Sequence, residues 1–152
     1  PNTLTVKIYE QDPIARWGDS GFMNVYGELF FPDPTELYTS LPTLYGEELR
    51  SKDLASVFEN SVSQLKPLGL QLHGLFEDER QSKRLVLSNG LVLAIGDGNV
   101  TEKITRFITA YEQYLSPHLA AVKKIDLRYT NGLAVEWRNP QLAHNLKVDH
   151  NL

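Results

Sequence analysis

Two amphipathic helical stretches, set among short strand-like runs, constrain the fold of this chain more than any other feature. They cover residues 51–66 and 100–115. Apolar residues recur in both at steps of three and four, which gives each helix one apolar stripe. The stripes consist of Leu54, Val57, Phe58, Val62 and Leu65 in the first stretch and Ile104, Phe107, Ile108, Tyr111 and Leu115 in the second. Each helix therefore needs an apolar surface to pack against.

The ends of the two helices carry residues that favour a start or a stop. Pro67 and Gly69 end the first helix. Asn99 can cap the second helix, and Glu102, three residues later, completes the pattern of a capping box. Pro117 follows the second helix, as expected of a residue that cannot continue helical hydrogen bonding. The helix limits are thus predicted by local chemistry as well as by periodicity.

Strand-like runs fill much of the remaining sequence. They are predicted at residues 4–9 and 70–76, at 84–93 as two strands joined by Asn89-Gly90, and at 122–129 and 133–138 as a last hairpin around Asn131-Gly132. Asn-Gly pairs favour the left-handed conformations that tight hairpin turns require. Strands interrupted by two helices predict an α+β fold with a mainly antiparallel, curved sheet, two flanking helices and a terminal edge hairpin. Residues 139–152 are interpreted as an extension or tail.

Composition excludes several classes of function. The chain has 152 residues, enough for one domain with its own core, and its 41% hydrophobic and 22% charged residues are typical of a globular protein. The net charge is −4, and no Lys/Arg cluster exceeds a pair. A nucleic-acid interface or a polybasic membrane patch is therefore not expected. The absence of cysteine excludes thiol catalysis and thiolate metal sites.

The sequence offers no constellation of catalytic or metal-binding residues. The four histidines lack the spacing of a helical metal site; they are His73, His118, His144 and His150. The acidic run 77–79, next to Arg80, is interpreted as a solvated turn. Gly96-Asp97-Gly98-Asn99 lacks the pattern of a phosphate loop and is interpreted as a turn with a helix cap. We therefore predict no catalysis, no cofactor and no metal.

Three segments, taken together and in order, resemble one known family. They are residues 10–19 (EQDPIARWGD), 41–46 (LPTLYG) and 126–137 (DLRYTNGLAVEW). Between the last two lie a helix, an Asn-Gly hairpin and a helix that contains Arg-Phe. Each motif is weakly specific alone, but in this order they resemble the bacterial cell-division family FtsQ, also called DivIB, of the proteobacterial type. The resemblance covers residues 1–138 and departs from the family pattern at Gln81 and Lys83.

The resemblance implies a single-pass inner-membrane protein whose periplasmic part is a POTRA domain followed by a β-domain. Residues 1–10 would be the last POTRA strand and residues 11–138 the β-domain. The chain begins at Pro1 without an initiator Met and is interpreted as cut from a longer protein, and the resemblance implies a membrane anchor upstream. The family implies a non-catalytic scaffold that binds FtsB-like and FtsL-like division proteins during septum formation. A POTRA-linked chaperone module and an envelope hydrolase are the alternatives.

The last strand is the predicted binding element. A terminal strand often lies at a sheet edge, where unpaired N–H and C=O groups can accept a strand from another chain. The resemblance implies the same, because the family's last strand receives a segment of FtsB. The predicted partner-binding residues are Arg128, Tyr129, Thr130, Gly132, Leu133, Ala134, Val135 and Trp137, with Arg80 as a further contact. Arg16 and Trp17 are predicted to pack the junction between the two domains.

The register of the last hairpin decides which side chains a partner can reach. A two-residue Asn131-Gly132 turn would divide the apolar residues between both faces. A three-residue loop, 130–132, would place Ile125, Leu127, Tyr129, Leu133, Val135 and Trp137 on one face. Burying three more large side chains, at about 2 kcal/mol each, favours the three-residue loop. In that register Arg128 points outward to meet a partner carboxylate, and Gly132 takes a left-handed conformation.

Overall fold

Both helices form where the sequence predicts them. In the computed structural model, which describes residues 2–4, 12–32, 40–139 and 141, α1 spans Ser51–Leu65 and α2 spans Val100–Ala110. One wide helical turn, Tyr111–Leu115, continues α2. The second predicted stretch therefore ends at the expected residue, although its last turn is not regular α-helix.

Half of the predicted capping box is present at the start of α2. The Asn99 side-chain oxygen accepts a hydrogen bond from the Glu102 backbone N–H at 3.0 Å, as expected of an N-cap. The Glu102 carboxylate does not return this bond, because it accepts one from the Arg106 guanidinium at 2.6 Å. Glu102, which is predicted to serve only the helix end, therefore forms a hydrogen bond with Arg106.

A nine-stranded sheet forms the other half of the fold. Its strands are β1 (Pro13–Trp17), β2 (Gly21–Asn24), β3 (Leu29–Phe30), β4 (Thr43–Tyr45), β5 (Leu72–Glu77), β6 (Lys83–Leu87), β7 (Val92–Gly96), β8 (Val122–Asp126) and β9 (Ala134–Trp137). Their spatial order is β3-β2-β1-β4-β5-β6-β7-β8-β9. The pairs β1–β4, β4–β5 and β7–β8 are parallel and the others antiparallel. The predicted α+β fold with a mainly antiparallel sheet and a terminal edge hairpin is confirmed.

One face of the sheet carries the core. Residues opposite one another on neighbouring strands share a face, so the pairing defines a row that crosses seven strands. The row consists of Trp17, Leu44, Leu75, Leu85, Leu93, Ile125 and Val135. All but Val135 are buried, and they form one cluster with the stripe residues Leu54, Phe58, Ile104 and Phe107. The helices therefore supply the apolar surface that the core face of the sheet needs.

Among the described residues, neither helix covers the other face of the sheet, which is called the open face below. Its neighbouring row consists of Tyr45, Phe76, Arg84, Ala94, Asp126 and Ala134. The Arg84 guanidinium lies over the Phe76 ring, 4.4 Å from its centroid. Four residues of this row help to line a shallow depression of about 560 Å³, together with Lys124 and Arg128; they are Tyr45, Phe76, Arg84 and Ala94. The open face thus combines aromatic surface with positive charge.

The register predicted for the last hairpin is wrong. Asp126 pairs with Ala134 and Ile125 with Val135, so residues 127–133 form a loop longer than either turn considered. The apolar residues of β8 and β9 still face the core, because Ile125 and its partner Val135 lie on the face with Trp137. Leu127 and Leu133 are buried within the loop. Tyr129 is the exception, since it is 53% exposed.

Two predicted segments fall mainly outside the described residues. Of the strand predicted at 4–9, only Leu4 is described, and it is exposed. Of the predicted tail, only Asn139 and Gln141 are described. The division of the chain into the end of a POTRA domain, a β-domain and a tail therefore stays a prediction.

Candidate partner-binding site

β9 forms one edge of the sheet. It pairs with β8, and within the described part of the chain no strand lies on its other side. The Arg138 N–H donates to the Ala121 carbonyl at 2.9 Å, which directs the backbone groups of that residue toward the β8 side. Backbone groups alternate along an antiparallel strand, so those of Val135 and Trp137 point to the outer side. This outer side is a template for an added strand.

The loop before β9 is held by Arg106 from α2. Its guanidinium donates to the carbonyl oxygens of Tyr129 at 2.9 Å, Thr130 at 3.0 Å and Gly132 at 2.8 Å. Gly132 has a φ of +71°, which confirms its predicted left-handed conformation. Sequence reasoning missed Arg106, because its spacing from Glu102 indicates only a helical ion pair. Its loop contacts lie 23 to 26 residues away along the chain.

Arg128 points outward, as predicted, but it already has a partner. Its side chain is 57% exposed, and its Nε and Nη2 donate to the two Asp126 carboxylate oxygens at 2.9 and 2.8 Å. The Arg128 hydrogen bonds lower the pKa of Asp126 below its usual value. Position 96 is a glycine next to this pair. Any other residue there would place its Cβ 3.2 Å from the Arg128 Cγ, which is closer than an ordinary van der Waals contact. A partner carboxylate must therefore approach a guanidinium that is already held in place.

The predicted binding residues divide into exposed side chains and backbone donors. Arg128, Tyr129 and Thr130 are exposed in the loop. The side chains of Leu133 and Trp137 are 4% and 9% exposed and belong to the core. Gly132 is also buried, whereas Ala134 and Val135 are half-buried. A partner could thus contact the loop through side chains and β9 mainly through its backbone.

Arg80 lies at the same end of the sheet as the Arg128 loop. It is exposed in the β5–β6 turn, where the Asp78 carboxylate accepts from the Arg80 and Ser82 N–H groups, each at 2.9 Å. β7 separates the β5–β6 turn from β8, which places the two arginines on the order of 12 Å apart by strand spacing. Gln81 occupies the left-handed position of this turn, with φ +62°. One partner surface could therefore reach both Arg80 and Arg128.

Lys83, the other departure from the family pattern, belongs to a buried ion pair. Its Nζ lies 3.1 Å from the Glu77 carboxylate, which also accepts from Arg50 at 3.0 and 3.1 Å. Burial by itself raises the pKa of Glu77. The hydrogen bonds and charges of Arg50 and Lys83 outweigh that effect, so the pKa is lowered overall. Lys83 therefore contributes to the packing beneath the β5–β6 turn.

Arg16 and Trp17 lie far from β9, since β4 to β8 separate β1 from that edge. Trp17 is 5% exposed and packs within the core row. The Arg16 N–H donates to the Pro42 carbonyl at 2.8 Å, and its side chain is half-buried. Trp17 therefore has a packing role in this domain, and its predicted role at a domain junction stays a prediction.

Two other kinds of site are absent from the described residues. No group of three or more His, Asp or Glu side chains among residues 2–4, 12–32, 40–139 and 141 could hold a metal ion. Over the same residues, no helix is long and apolar enough to cross a membrane.

Comparison with known proteins identifies relatives over most of the chain. The family model for the C-terminal part of the cell division protein FtsQ/DivIB matches residues 15–128 and thus ends in the loop before β9. The chain is 40% identical to the cell division protein FtsQ of Cellvibrio japonicus, over 90% of this chain and 43% of that protein. The FtsQ proteins of Methylomonas methanica and Aliivibrio fischeri are 32% and 33% identical, over 91% and 95% of this chain and 55% and 56% of theirs. The chain spans about half the length of these relatives.

Proposed function

This chain belongs to the FtsQ/DivIB family of cell-division proteins, and we propose that it is a non-catalytic domain that binds an extended segment of an FtsB-like protein along β9. An FtsL-like protein would join through the same complex during septum formation. The observation that carries the proposal is the outer side of β9, where the backbone groups of Val135 and Trp137 point away from β8. The proposal also places the chain in the periplasm, anchored by a membrane helix upstream, with residues 1–10 ending a POTRA domain.

In this proposal the backbone supplies affinity and the loop supplies specificity. An added strand would form hydrogen bonds with Val135 and Trp137. Tyr129 would contact an apolar side chain of the partner, since half of its surface is exposed in the free chain. Asp126 uses Nε and Nη2 of Arg128, so Nη1 can meet a partner carboxylate.

Titration of this chain with a labelled FtsB-like segment tests the side-chain contact. We expect Tyr129→Ala to weaken binding about tenfold, the loss typical of an aromatic contact at an interface. Tyr26→Ala is the matched control, because Tyr26 is 74% exposed in the turn between β2 and β3, at the opposite edge of the sheet. Equal affinities for the parent and both variants would count against the site.

A second variant tests the strand addition itself. Val135→Pro removes an outward N–H, and proline is tolerated in an edge strand at such a position. We expect the variant to keep the circular dichroism spectrum of the parent and to lose at least about tenfold in affinity, because one hydrogen bond is missing and the edge is blocked. Parent-like binding by folded Val135→Pro would exclude pairing along β9.

A further inference from the structure

The loop before β9 presents converging carbonyl oxygens to a single cation. Arg106 extends from α2 with only 10% of its side chain exposed, and its guanidinium bonds to the carbonyls of Tyr129, Thr130 and Gly132. Guanidinium is planar, always charged and able to donate five hydrogen bonds in fixed directions. A guanidinium can therefore donate to several carbonyl oxygens at once only when the loop holds those oxygens in one arrangement. The contact therefore fixes the loop conformation from outside the hairpin.

Local sequence favours a different hairpin. Asn131-Gly132 is the pair most typical of a two-residue turn, which would place Thr130 opposite Leu133. That register would put Arg138 opposite Ile125, where the structure has Val135. The shift is three residues, an odd number, so it would exchange the two faces of β9. The observed loop is thus not the one that its own residues favour.

We propose that Arg106 is a positioning residue for partner binding. It holds the loop so that β9 starts in its observed register, with the outward backbone groups at Val135 and Trp137 and with Tyr129 exposed. Arg106 does not touch the partner, because its guanidinium is enclosed by the loop carbonyls and Glu102. This inference rests on the proposed function for its consequence in binding, but the loop can be tested in the free chain.

Hydrogen exchange of the free chain provides the first test. We expect Arg106→Gln to accelerate exchange of the amides in residues 127–137 at least about tenfold, while amides of β5 and β6 keep their rates, since local opening is independent of global unfolding. Arg106→Lys keeps the charge and should recover part of the protection. Glu102→Gln removes the carboxylate charge next to Arg106 but leaves the loop contacts, so its exchange should match that of the parent.

Binding of the labelled FtsB-like segment provides the second test. Arg106→Gln should weaken binding about tenfold, Arg106→Lys should restore part of the loss, and Glu102→Gln should bind like the parent. The partial recovery with lysine distinguishes positioning of the loop from a general loss of folding.

The possible outcomes distinguish the proposed function from the positioning role of Arg106. If the parent itself does not bind the segment, the proposed function fails, while the exchange data still decide whether Arg106 fixes the loop. Unchanged exchange in residues 127–137 of Arg106→Gln would overturn the positioning role. Uniform acceleration over the whole chain would overturn it as well. Parent-like affinity of an Arg106→Gln protein with a loosened loop would show that the loop conformation does not matter for binding.

Discussion

Glu77 is held by two cations in a place where a lone carboxylate would be costly. It is 4% exposed and lies within 3.1 Å of both Arg50 and Lys83. Burial acts against the ionised form, but the hydrogen bonds and charges of the cations leave the pKa of Glu77 below its usual value of 4.5. A depressed carboxyl pKa stabilises the folded chain above the unfolded pKa. That contribution is lost as the pH falls through the folded pKa.

Removal of the Glu77 charge should therefore destabilise the chain in a pH-dependent way. We expect Glu77→Gln to lower the free energy of unfolding by about 3 kcal/mol at pH 7, because Lys83 stays buried without its counter-ion. The difference from the parent should shrink as the pH falls below the usual carboxyl pKa of 4.5 and through the lowered pKa of the folded chain, because protonated Glu77 is then as uncharged as Gln. Urea denaturation at several pH values measures it, with the exposed Glu79→Gln as control. A difference that does not shrink as the pH is lowered would contradict the assignment.

Among the elements, the start of α2 depends on one side chain. Asn99 satisfies the Glu102 N–H, one of the donors that a helix end leaves without a helical partner. We expect Asn99→Ala to cost about 1 kcal/mol of unfolding free energy. Asn60→Ala is the matched control, because Asn60 is exposed within α1, where alanine is the better helix former. Equal changes of the thermal unfolding midpoint in both variants would contradict the role of Asn99 as the N-cap of α2.

The helices were predictable because their determinants are local. The stripe and the stop signals place α1 within one residue of its observed end, and Asn99 marks the start of α2. The order of motifs also predicted the family. The limits of the helices depend on residues only a few positions apart, so the sequence expresses them directly.

The last hairpin was only partly predictable because a distant residue selects its loop. The apolar pattern correctly placed Ile125, Val135 and Trp137 toward the core. It wrongly placed Tyr129 there, since the carbonyl of that residue is held by Arg106 from α2. Asn131-Gly132 predicts a tight turn, and no local sequence feature predicts the longer loop that forms instead. Burial arguments predicted the correct face of β9 but not its register.

At the scale of the whole molecule, positive charge gathers on the open face of the sheet, next to the loop before β9. The chain carries a net charge of −4. Even so, five cations and two carboxylates line the depression on the open face: Lys83, Arg84, Lys123, Lys124 and Arg128 against Glu77 and Asp78. Glu136 and Lys123 lie within 3.6 Å of each other on the surface of the same strands, where such a pair adds little stability. An acidic partner segment would therefore meet an attractive local field on a chain that repels it overall.

This distribution predicts how salt affects binding of the labelled FtsB-like segment. Screening lengths fall from about 10 Å at 0.1 M to about 3 Å at 1 M salt, so the parent should lose affinity as salt rises. Arg128→Glu should bind about tenfold more weakly at low salt and show a flatter dependence on salt, because one attractive pair becomes repulsive. Lys52→Glu makes the same change in net charge, but Lys52 lies beside Gly27, near the opposite edge of the sheet. If Lys52→Glu weakens binding as much as Arg128→Glu does, the overall charge governs the interaction and the local role of Arg128 is excluded. If only Arg128→Glu responds, the loop before β9 is the place where charge is recognised.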